Sequence, residues 1–112
     1  MKRRRVVGRE IDCGAPQLDA VLGMNEAYLE VTYRHGRPLA AYYYLPRRAG
    51  DRAHRTTRGP SGLLIDYTRA GRAIGIEITA PSLLSLSAMN RLLRDVGHKP
   101  VKRTELSPLL AA

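Results

Sequence analysis

Apolar and polar residues alternate with period two along several stretches of this chain, the mark of strands with one buried and one wet face. Over residues 26–34, Ala27, Leu29, Val31 and Tyr33 alternate with Tyr28, Glu30, Thr32 and Arg34. Residues 39–45 follow as a second strand rich in tyrosine, after a His35-Gly36-Arg37-Pro38 turn, and the two predict a hairpin. Residues 62–67 and 73–79 predict another hairpin around Arg69-Ala70-Gly71-Arg72. In its second arm Ile74, Ile76 and Ile78 face one side, and Gly75, Glu77 and Thr79 the other. Beyond Pro81 the period changes. Met89, Leu92, Leu93 and Val96 stand at i, i+3, i+4 and i+7, which predicts a helix with one apolar stripe. Ser85 or Ser87 can cap its start, and Gly97 followed by Pro100 ends it.

The intervening segments lack such periodicity. Residues 46–61 are broken by Pro46, Gly50, Gly59 and Pro60 and contain no apolar residue larger than alanine, so a long, mobile, basic loop is expected. Residues 1–25 are expected to be a basic, loosely ordered arm, with at most a turn or two of helix at Leu18, Val21 and Leu22. Residues 100–112 form a tail in which Thr104 can cap a last short helix carrying Leu106, Leu109 and Leu110 on one face. The expected fold class is α+β: a four-stranded antiparallel β-meander with one C-terminal helix packed on the sheet, spanning residues 26–99.

At 112 residues the chain is the length of one domain. It has neither Phe nor Trp, so Leu, Ile, Val and Tyr must fill the core. Nineteen Lys and Arg against ten Asp and Glu give a net charge of +9, which attracts polyanions without saying anything about fold. The lone Cys13 cannot form a disulfide within the chain, consistent with a reducing compartment. Met1 to Arg5 resembles the charged start of a signal peptide, but Val6-Val7-Gly8 runs straight into Arg9 and Glu10. No window is apolar enough to span a membrane, and a cytoplasmic protein without membrane contact is expected.

The segment Gly62-Leu63-Leu64-Ile65-Asp66-Tyr67, the turn at Gly71, and Gly75-Ile76-Glu77-Ile78 resemble the core of a family of very small bacterial and archaeal domains of unknown function. The resemblance runs over residues 26–90, with Ala27-Tyr28-Leu29-Glu30-Val31 as counterpart of the family's opening strand. It implies a four-stranded meander followed by a helix, no catalytic activity, and for some members the antitoxin role of a toxin–antitoxin pair. This chain departs from the family in its non-acidic turn at 68–71, its basic loop and its positive charge.

Candidate chemistry is sparse. Asp66 and Glu77 fall on facing strands, where two carboxylates in a cleft could do acid–base work. With so many arginines present, the simpler expectation is that both are ion-paired, and no catalytic residue is assigned. His35, His54 and His98 lack ligand spacing, so neither a metal nor a cofactor is expected. Tyr42 and Tyr44, followed by Arg47, Arg48, Arg52, Arg55 and Arg58, are the parts of a single-strand nucleic-acid platform, with Arg3, Arg4 and Arg5 as a basic arm beside it. Leu106, Leu109 and Leu110 could dock in a partner's groove or on the chain's own sheet. Two functional expectations follow. The first is a non-enzymatic binding module for a small protein such as a toxin. The second is a nucleic-acid-binding domain using the arm and the 46–61 arginines. Exposed sheet edges also favour a homodimer.

Overall fold

The computed structural model describes residues 5–10 and 26–110. Strands and helices follow in the order β1 (Arg5–Glu10), β2 (Tyr28–Arg34), β3 (Arg37–Tyr44), β4 (Arg55–Arg58), β5 (Leu63–Tyr67), β6 (Ala73–Ile78), α1 (Leu86–Asp95) and α2 (Ser107–Leu110). The fold is α+β with an open, largely antiparallel sheet whose strand order is β1-β2-β3-β6-β5-β4. Strands β2 to β6 pair antiparallel, and β1 lies parallel to β2 at one edge.

Both predicted hairpins form. His35 and Gly36, with φ of 52° and 75°, make the two-residue turn between β2 and β3. Positive φ at both central positions matches the twist of the flanking strands. The four-stranded meander does not form. Residues 5–10, placed in a loose arm by the sequence, pair with residues 28–33 as β1. The segment Arg55–Arg58, expected within a mobile loop, pairs with 64–67 as β4. Because β4, β5 and β6 form their own antiparallel run, β3 meets β6 rather than β5. Residues 45–54 therefore cross the end of the sheet to reach the far edge. This crossing is pinned by Leu45 N–H to Ile74 C=O at 3.1 Å and His54 N–H to Tyr67 C=O at 2.7 Å.

One sheet face carries the core. Leu29, Val31, Ala41, Tyr43, Ile65, Ile76 and Ile78 pack there against Met89, Leu92 and Leu93 of α1. Ile74 breaks its predicted alternation. The register between β5 and β6 shifts after Asp66, so that Tyr67 faces Ala73 and Ile74 is the extra residue of a bulge. Ile74 is buried, yet it lies outside the helix-side cluster and lines the opposite face.

Ser85 caps α1 by accepting from Ala88 N–H at 3.1 Å, and Gly97 follows the helix with φ 82°. Asn90 then fixes the tail: its Nδ2 donates to Val101 C=O at 3.1 Å and its Oδ1 accepts from Val101 N–H at 2.8 Å. The last turn begins at Lys102, not Thr104. Lys102 N–H donates to Glu105 Oε1 at 2.9 Å, and a 3-10 turn over Arg103–Leu106 leads into α2. Leu106 and Leu109 are fully buried in the chain's own core, with half-buried Leu110 packed against it.

A candidate binding surface on the open face of the sheet

The sheet has a second face that no helix of the described residues covers. Strand alternation places Tyr28, Glu30 and Thr32 of β2, Ala40, Tyr42 and Tyr44 of β3, Gly75 and Glu77 of β6, and Asp66 of β5 on it. The crossing segment roofs one end, leaving a concavity of about 670 Å³. Its lining includes Glu30, Tyr42, Arg47, Asp66 and Glu77.

The consecutive tyrosines divide between the two faces. Tyr43 enters the core, while Tyr42 and Tyr44 turn to the open face. Tyr44 is buried there: its ring stacks on Tyr28 with centroids 4.4 Å apart, and the Arg47 guanidinium lies 5.1 Å from its centroid. Its hydroxyl donates to Glu30 at 3.2 Å. Arg47 is itself only 9% exposed and donates from Nη2 to Ile74 C=O at 2.6 Å, while its Nε finds no acceptor among the described residues. Two members of the expected stacking platform, Tyr44 and Arg47, are thus enclosed structural groups.

Tyr42 leans across Gly75 on the neighbouring strand, lying so close that a β-carbon at Gly75 would collide with the ring. From there its hydroxyl donates to Asp66 Oδ2 at 2.6 Å, while Thr56 Oγ1 of β4 donates to Asp66 Oδ1 at 2.5 Å. One buried carboxylate so ties β3, β4 and β5 together above the intervening β6. The expectation of ion-paired acids does not hold: Asp66 is satisfied by two hydroxyls, and Glu77 has no hydrogen bond or ion pair among the described residues. Burial first, then the hydrogen bond to Asp66 and its negative charge, push the Tyr42 phenol well above its ordinary value, with Arg47 pulling the other way.

This phenol gives a pH prediction. A group whose pKa is raised on folding contributes stability that is fully present below its unfolded value, about 10 for tyrosine, and lost as pH rises toward the folded value. Urea midpoints should therefore fall as pH rises above about 10, and fall less steeply in Tyr42→Phe. Equal slopes for the two proteins would show that Tyr42 does not carry the effect.

The remaining arginines separate. Arg48 and Arg52 are exposed in the crossing segment. There Asp51 accepts from Arg48 N–H at 2.8 Å and pairs with Arg72 at 2.7 Å, contacts that hold its carboxyl below the usual range, the Arg72 bond first. On β4, Arg55 sits 4.9 Å from the Tyr67 ring centroid and Arg58 is exposed. Arg5 belongs to β1, whereas Arg3 and Arg4 lie outside the described residues, as do Cys13 and the turn at 18–22. Among the described residues no cluster of His, Cys, Asp and Glu could hold a metal, and no helix is long and apolar enough to cross a membrane.

Sequence reasoning missed Thr56, the Gly75 seat and Glu30. One signal was present: a glycine inside an Ile-rich strand marks a close approach by something else. No protein-family model, curated protein or solved structure matches the chain.

Proposed function

We propose that this chain is a non-enzymatic binding module that receives a small partner protein on the open face of its sheet. The carrying observation is the arrangement of charge. In a chain of net charge +9, four of the ten acidic residues, Glu30, Asp51, Asp66 and Glu77, line this one concavity. Glu77, which makes no hydrogen bond or ion pair among the described residues, gives an incoming Lys or Arg something to pair with. A small toxin, the partner implied by the resemblance in the β5–β6 hairpin, is one protein of this kind. Asp66 has both oxygens engaged by hydroxyls, as a structural carboxylate does, which weighs against a catalytic role.

The nucleic-acid alternative loses ground on this face, because four carboxylates outnumber the two arginines, Arg47 and Arg52, that line it, and the Tyr44 ring is covered. It keeps the exposed arginines Arg48, Arg52, Arg55 and Arg58. Co-purification from the native host, with nuclease present, separates the two. The tagged wild type should retain a stoichiometric protein, and Glu77→Lys should lose it while Arg91→Glu, on the helix side, keeps it. Nucleic acid released by salt, or a protein retained equally by all three, contradicts the proposal.

A further inference from the structure

The sheet ends at β4, whose sequence is Arg-Thr-Thr-Arg. Gly59 N–H donates to Leu63 C=O at 2.7 Å, which fixes the phase of the β4–β5 ladder. In an antiparallel pair, inward- and outward-directed residues alternate. Thr57, opposite Ile65, therefore bonds inward, and the peptide groups of Thr56 and Arg58 face away from β5. Among the described residues nothing occupies that side. No proline blocks it, and the strand is exposed except for half-buried Thr57.

The side chains decide what such an edge accepts. A second copy pairing antiparallel about Thr57 would set Thr56 opposite Arg58 and bring the two Arg58 side chains together as diagonal neighbours on one face, where like charges are unfavourable. The nearby acids do not neutralise these arginines: Asp51 is engaged by Arg48 and Arg72, and Asp66 by Tyr42 and Thr56. Arg58 makes no ion pair among the described residues, and Arg55 is held over Tyr67 with no carboxylate beside it. Arg52, just before the strand, lines the open-face concavity and is not part of this edge.

We infer that the β4 edge takes up an extended acidic segment of a partner protein as a further strand, the main chain bonding Thr56 and Arg58 and the carboxylates opposing Arg55 and Arg58. This surface is separate from the open face and does not depend on it. Backbone pairing supplies affinity and the alternate side chains supply selectivity.

Arg55 and Arg58 stand three apart in the strand and so project to opposite faces of the sheet. The test is fluorescence anisotropy of the full chain with a labelled peptide of about ten residues that sets Glu three apart with Val between. A second peptide of the same length and charge, with proline in place of central valines, cannot form a strand. Saturable binding of the first, at least about tenfold tighter than the second and weakened about tenfold by Arg55→Glu/Arg58→Glu, is expected. Arg58→Pro, which removes an outward N–H at an edge position that tolerates proline, should weaken it as well. Equal binding of both peptides means charge alone and overturns the inference. So does an edge that ignores the peptide but binds a single-stranded oligonucleotide in an Arg55- and Arg58-dependent manner.

Discussion

Leu106→Ala is expected to destabilise this protein by about 2–5 kcal/mol, the range for truncating a buried leucine. Leu106 has no exposed surface and belongs to the same core as the sheet and α1. Removing it deletes apolar contacts and leaves a space that the surrounding side chains fill only in part. Against a total stability of about 5–15 kcal/mol, that is a large fraction. Leu110→Ala, at a half-buried position, should cost distinctly less. Urea denaturation of the isolated protein measures both. The sequence alone allowed this leucine face to serve a partner instead. A tail reserved for a partner would leave the isolated protein's midpoint unchanged in Leu106→Ala, and that result would contradict the docking described above.

Gly75→Ala is the second large effect. The new methyl would occupy the space of the Tyr42 ring, so the ring must swing away from Asp66. Crowding of this kind costs about 1–3 kcal/mol. Losing a hydrogen bond to a charged, buried carboxylate costs about 1.5–3 kcal/mol where no other donor replaces it. The diagnostic is a double-mutant cycle. In a Tyr42→Ala background the space is vacant, and Gly75→Ala should be nearly neutral or slightly stabilising, because alanine restricts the unfolded chain. If its cost is the same in both backgrounds, the Tyr42–Gly75 contact is not what makes glycine necessary.

How much of this could be read from sequence depended on whether the signal was local. The hairpins of β2–β3 and β5–β6 were legible because alternating side chains and a Gly turn sit within one short window. So was α1, whose stripe at Met89, Leu92 and Leu93 is buried as its spacing requires. β4 was not legible. Arg55-Thr56-Thr57-Arg58 has no apolar residue to alternate, and it is a strand because β5 offers it a ladder. The pairing of β3 with β6 is a long-range choice that no local pattern encodes. Ile74 was misassigned for a related reason, since a bulge shifts every alternation drawn through it.

The candidate site followed the same rule. Tyr42, Asp66 and Glu77 were singled out as residue types, but their grouping depends on strand order, and strand order brought Asp66 under a tyrosine and a threonine instead of an arginine. The consecutive tyrosines suggested a stacking platform. The crossing segment, whose path follows from β4 being a strand, closes Arg47 over Tyr44 and removes that ring from the surface.

The proposed function puts the partner on the open face and not on the helical face. Site-specific photo-crosslinking tests it most directly, with the crosslinker placed at Thr32 on the open face or at Arg91 on the exposed side of α1. In host cells treated with nuclease, a single protein adduct is expected from Thr32, abolished by Glu77→Lys, and none from Arg91. An adduct from Arg91 alone, or one from Thr32 that persists in Glu77→Lys, would contradict it.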